Sequence, residues 1–214
     1  MKDKYKNFLD LKTHRPKSFI ISKKSSNNNF LIFTPHGGGI EPGTTEICKW
    51  FGEQSFSYYS LTGKGSKCNE LHITSTRFDE PSLLKMLRLH LHSISFHGMS
   101  DSMKRKYNAD IFLGGLNIEL RNTLKKELKN KKYSVATSME YPKSKLAALN
   151  NKNITNKCAN RGGVQIELSE SLRGSFFSGN YKLQKGRRIT TNNFSDFCAL
   201  VKEVVNSYQR ENES

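Results

Sequence analysis

A chain of 214 residues that is 35% hydrophobic and 25% charged has the length and composition of one globular domain with its own core, which excludes disordered, collagen-like and coiled-coil classes. No apolar run approaches the roughly 18 residues of a membrane helix, and the basic N-terminus lacks the apolar stretch of a secretory leader, so cytoplasmic synthesis without a signal peptide is expected, with release by lysis the route to any outside substrate. The net charge of +16, from 35 basic and 19 acidic side chains, favours an anionic partner.

Apolar runs at residues 18–22 and 30–34 predict two strands flanking a polar loop at 23–29. Pro42-Gly43-Thr44 opens a helix that runs through Ile47, Trp50 and Phe51. Residues 55–61 predict a strand, and Pro81 starts a helix with Leu83, Leu84, Leu87 and Leu89 apolar. Alternation makes 89–96 a strand. A strand at 109–113, a helix at 117–129, a strand at 133–137, a long loop at 143–161, a strand at 164–168 and an amphipathic helix at 194–208 follow. Strands alternating with helices predict a mixed or parallel sheet covered on both faces. The expectation is a single domain over 1–214, with the basic segment 1–16 at its periphery.

The surplus charge is uneven. Residues 1–29 carry eight basic and two acidic side chains and residues 121–160 carry ten and two, whereas 30–120 balance nine against nine. Nucleic acid, an anionic membrane surface or an acidic polymer suits such a field, and so does a merely solubilising surface. No RNP-like motif, C2H2 spacing or clear helix-turn-helix accompanies it, which weakens the nucleic-acid reading. Cys48, Cys68, Cys158 and Cys198 show no CxxC spacing and read as free thiols of a reducing compartment.

The candidate chemistry sits just past strand ends, where open α/β sheets bind ligands. From Thr34 to Thr44, His36 and Glu41 lie five residues apart across three glycines, which let a short loop bring both side chains to one point. An imidazole and a carboxylate together suit Zn²⁺. The alternatives are a phosphate-cradling loop, against which the P-loop and dinucleotide-loop spacings are missing, and a plain glycine turn. His97, at another strand end, reads alone as a structural or exposed histidine; paired with His36 and Glu41 it becomes the missing third ligand, since two His with one Glu form a catalytic zinc arrangement in several hydrolases. His90 and His92 read as sheet or surface residues. Glu167 lies among Val164, Ile166 and Leu168, where a carboxylate costs free energy unless it has a partner or a task. Partial desolvation would raise it toward the range of a general base; an outward-facing Glu is the alternative. Asn69, His72, Arg77, Arg161 and Arg173 are candidate substrate contacts, arginine because it holds carboxylates bidentately. Neither a nucleophile elbow nor HExxH is present.

In order, PHGGGIEPGT (35–44), NELHITSTRFDEP (69–81), SFHG (95–98), GGLN (114–117) and NRGGVQIELSESLR (160–173) resemble the poly-γ-glutamate hydrolase family, phage-borne and bacterial. The resemblance implies a zinc carboxypeptidase-like α/β fold, a single-domain three-layer α/β/α sandwich with a mixed, mostly parallel sheet. It also implies one Zn²⁺ ion and hydrolysis of the γ-glutamyl amide bonds of poly-γ-glutamate. Carried onto matching positions, it makes His36, Glu41 and His97 the zinc ligands and Glu167 the general acid/base. Arg161, then Asn69, His72 and Arg77, become the substrate-binding residues. Four residues separate His36 from Glu41 where zinc carboxypeptidases have two, which makes Glu46 a rival ligand; a helix at 44–50 would point it away. Two other functions stay open: zinc hydrolysis of another γ-glutamyl or N-acyl amino-acid amide, and a basic nucleic-acid-binding phage accessory protein.

Overall fold

The computed structural model describes residues 3–160 and 162–212. In chain order the elements are α1 (Phe8–His14), β1 (Phe19–Lys24), β2 (Phe30–Gly38), α2 (Thr44–Glu53), β3 (Ser57–Gly63), α3 (Pro81–Arg88), β4 (His92–Gly98) and α4 (Asp101–Tyr107). They continue with β5 (Ile111–Gly114), α5 (Ile118–Asn130), β6 (Val135–Thr137), β7 (Val164–Leu168), α6 (Glu170–Ser175) and α7 (Asn192–Asn212). The strands form one sheet in the order β1-β3-β2-β4-β7-β5-β6. The β1/β3 and β5/β7 pairs are antiparallel and the others parallel, so the sheet is mixed and mostly parallel.

The central strand shows why the sheet is covered twice. Every position of β2 is buried, as a strand in mid-sheet between two layers requires. Phe30 and Ile32 enter one core with Ile47 and Phe51 of α2, Leu124 of α5 and Val201 of α7. Leu31 and Phe33 enter a second with Leu11 of α1 and Leu83 and Leu87 of α3. These are the three layers of an α/β/α sandwich, in one domain.

Differences from the sequence expectation have local causes. The strand expected at 89–96 begins at His92, because α3 runs to Arg88 and leaves Leu89 and Leu91 exposed ahead of it. The loop expected at 143–161 contains a 3-10 turn, Ile154–Lys157, with Ile154 and Cys158 buried in the second core. Helices α1, α4 and α6, of six or seven residues, are too short to show a period. The N-terminal segment is more than a charged fringe: Tyr5, Phe8 and Leu11 are buried in the second core. All four cysteines are free and buried. No helix among the described residues is long and apolar enough to cross a membrane.

Candidate metal centre

β2, β4 and β7 run parallel as neighbours, so their carboxyl ends converge. Strict alternation along β2 would put His36 on the Phe30 and Ile32 face. The register against β3 shifts between Thr34 and Gly37, and such a bulge re-aims the side chains at it. His36 lies instead on the opposite face, edge-on to Phe78 and to His97. Gly38 then turns the chain out of the strand at φ +68°, with the Gly63 carbonyl oxygen 2.5 Å from where a Cβ would sit. Only glycine meets both conditions cheaply.

The loop closes back on its origin. Glu41 N donates to the His36 carbonyl at 2.8 Å, which returns the Glu41 carboxylate to the ring. Its Oε1 lies 3.1 Å from His36 Nδ1, and its Oε2 lies 3.4 Å from His97 Nδ1 while accepting from Gly98 N at 2.9 Å. The two Nδ1 atoms are 3.2 Å apart. His36 Nε2 is 2.8 Å from the Ile73 carbonyl. A carbonyl only accepts, so Nε2 carries the proton and Nδ1 presents its lone pair to the cluster.

Donor atoms of His36, Glu41 and His97 all lie within 4.8 Å of one another. Ring nitrogens facing each other at that separation need a proton or a cation between them. Two imidazoles and a carboxylate are the donor set Zn²⁺ takes, so the residues present fit that ion. The electrostatics agree. Burial pushes the Glu41 carboxyl up, but the imidazoles of His36 and His97 outweigh it and hold the group well below the usual carboxylate range. Burial pushes His97 down, and Glu41 and Glu167 together raise it overall.

Glu167 stands in register with His97 on the neighbouring strand. Burial, aided by the charge of Glu41, outweighs His97, His36 and Arg173 and lifts its carboxyl to about 7. Gln165 Nε2 donates to Glu167 Oε1 at 2.9 Å, and Asn153 Nδ2 donates to Gln165 Oε1 at 3.2 Å. Sequence reasoning misses both residues. The two-residue spacing of Gln165 and Glu167 on one strand is a usable signal; Asn153 offers none.

A cleft of about 550 Å³ opens over Glu41, its walls including Asn69, His72, Tyr181 and Lys182. Asn69 and His72 thus lie on the cleft beside the cluster. The His72 ring lies 4.2 Å from that of His36 and its Nδ1 donates to Asp3 at 2.8 Å. Burial, then the charge of His36, push His72 down to about 4, so it is neutral at pH 7. Arg77 is not in the cleft; its guanidinium bonds Asp3 and borders a separate groove. Arg161 lies outside the described residues. Tyr181 and Lys182 come from an unpatterned stretch that carries no signal.

The remaining candidates serve the fold. Glu46 bonds Arg187 Nε at 2.7 Å, away from the cluster. His90 Nδ1 donates to the Met86 carbonyl at 2.6 Å, and His92 packs on Phe30 and Tyr208. Both are buried rather than at the surface. Arg173, buried under the cleft, donates to the carbonyls of Leu168 at 3.1 Å, Pro42 at 2.7 Å and Met99 at 3.3 Å. It ties the end of β7 to the Glu41 loop and to the residue after β4. Arg173→Met is expected to cost about 3 kcal/mol by orphaning these carbonyls. Urea unfolding of the two proteins checks this.

The metal-free chain is expected to be destabilised by base. Glu167 and His97 are both raised in the fold, so their contributions are full below their unfolded pKa values and are lost as pH rises through the folded ones. For Glu167 that window runs from about 4.5 to about 7, and the loss is on the order of 3 kcal/mol. Glu41, which is lowered, acts oppositely, losing its contribution only in more acid solution. Thermal unfolding of chelated protein at pH 5 and pH 8 should show a fall of several degrees, reduced in Glu167→Gln. Equal falls in both proteins would contradict this assignment.

Comparison with known proteins points the same way. The sequence pattern of the family described as poly-gamma-glutamate hydrolase matches residues 5–200. The SPbeta prophage-derived UPF0714 protein YoqZ of Bacillus subtilis (strain 168) is 36% identical over 209 residues, covering 95% of this chain and 72% of that protein. A bacteriophage poly-gamma-glutamate hydrolase structure superposes with a TM-score of 0.89 at 34% identity, over 99% of this chain and 100% of that one. The zinc-free apo structure of YndL has a TM-score of 0.86 at 30% identity, over 96% and 98% of the two chains.

Proposed function

The chain belongs to the poly-γ-glutamate hydrolase family, and from that premise we propose that it is a zinc-dependent hydrolase of the γ-glutamyl amide bonds of poly-γ-glutamate. The observation that supports the reading most is the buried His36–Glu41–His97 donor cluster with Glu167 in register beside it.

His36 Nδ1, His97 Nδ1 and the Glu41 carboxylate would hold the ion. The chemistry a bound Zn²⁺ supplies is Lewis acidity, which polarises an amide carbonyl and eases loss of a proton from water. Glu167, its Oε1 held by Gln165, takes the proton of the attacking water and returns it to the nitrogen of the leaving amine. Ile73 holds His36 in one tautomer through the reaction. Lys182 and Asn69 meet the α-carboxylates of the polymer, His72, its one ring proton held by Asp3, shapes the wall beside them, and Arg161 is proposed as a further contact. Arg173, with its donors on backbone carbonyls, keeps the shape of the cleft.

Zinc-loaded protein offered poly-γ-glutamate, a γ-glutamyl dipeptide and an N-acyl amino acid tests the substrate. The polymer is expected to give the highest kcat/KM, by about tenfold or more, since remote carboxylates add binding. A preference for either small amide would overturn the polymer reading and leave a hydrolase of the same chemistry.

A further inference from the structure

A groove of about 490 Å³ lies outside the metal centre, bordered by Lys6, Arg77, Arg88, Lys152 and Lys157 with Asp79 as its carboxylate. Asp79 is already engaged, its Oδ1 accepting from Phe8 N at 2.8 Å at the start of α1. Among the described residues, the side chains of Lys6, Arg88, Lys152 and Lys157 take part in no hydrogen bond or ion pair. Uncompensated like charges raise one another's energy, and a bound polyanion relieves that.

The groove adjoins the cleft through a single carboxylate. Asp3 accepts from Arg77 at the groove edge, from His72 Nδ1 on the cleft wall and from Thr74 N between them. A polymer leaving the cleft past His72 therefore arrives at Arg77 and the cations beyond it. We infer that this groove is a second binding site for the substrate chain, holding the carboxylates of poly-γ-glutamate residues remote from the scissile bond. The inference rests on the substrate reading above. A carboxylate polymer suits the groove better than nucleic acid, because the aromatic residue lining it, Phe78, is buried and offers no open ring for a base to stack on.

The groove is tested with the triple variant R88A/K152A/K157A, whose three sites are exposed. Fluorescent poly-γ-glutamate is titrated by anisotropy against Glu167→Gln protein with and without the triple change, so that the polymer stays intact. The triple change is expected to raise Kd about tenfold and to flatten its dependence on salt. In the otherwise unaltered protein it should raise KM for long polymer similarly while leaving kcat/KM on a short γ-glutamyl oligomer within about twofold. An unchanged polymer Kd would overturn the inference. So would equal losses on oligomer and polymer, which would put the cations in the cleft or the fold. An oligonucleotide of matched charge that binds more tightly than the polymer would make nucleic acid the occupant and also overturn it. Failure of the hydrolase reading shows separately, as zinc-loaded parent protein that does not turn over the oligomer.

Discussion

Glu167→Gln is expected to lower kcat on poly-γ-glutamate by about 10³-fold while zinc content and secondary structure stay at parent levels. The exchange keeps the volume and shape of the side chain, and no donor of the His36–Glu41–His97 cluster is touched. What it removes is a group able to take a proton from water and give it to an amine. Gln165 donates to Glu167 Oε1, and an amide oxygen at 167 accepts the same bond, so the residue should stay in place. KM is expected to change little, because a proton-transfer group is felt in the transition state rather than in holding the ground state. Turnover and metal content by inductively coupled plasma measurement check both halves. A rate near that of the parent would move the proton to another group.

His97→Ala is expected to weaken zinc binding by between about 10² and 10³-fold, from dividing the roughly 10–16 kcal/mol of a four-donor zinc site among its donors. Activity at micromolar zinc should fall with it and return in part at millimolar zinc. His90→Ala is the matched control. His90 is also buried, but its Nδ1 bonds the Met86 carbonyl and it stands apart from the cluster. Its loss should lower stability and leave zinc affinity unchanged. Competition with a chromophoric chelator reads both affinities.

Residues whose positions are set by strand ends are legible in the amino-acid pattern alone. The run from Val164 to Leu168 is apolar except for Gln165 and Glu167, and it is β7 to the residue. His36 and His97 each close an apolar run, and three glycines announce a tight return to Glu41. Contacts between distant segments are not legible in that way. Arg77 sits in a motif with His72, yet Asp3, 74 residues earlier, draws it out of the cleft. Nothing in the pattern of a charged N-terminus marks one carboxylate as a bridge. Arg173 reads as a carboxylate-binding arginine, and only the packing of three loop ends around it shows that backbone carbonyls take its donors. The bulge at Pro35-His36 is equally silent, because the change of face depends on pairing with β3 rather than on residue type. Short helices and the hold of Asn153 on Gln165 fall in the same class, since neither leaves a periodic trace.

Zinc titration of chelated protein, with polymer length followed by gel filtration, tests the centre most directly. Chelated protein should leave poly-γ-glutamate intact, and shortening should return as zinc is added and level off near one ion per chain. Chelated protein that shortens the polymer as fast as the zinc-loaded form, or zinc-loaded protein that leaves it intact, would contradict the account.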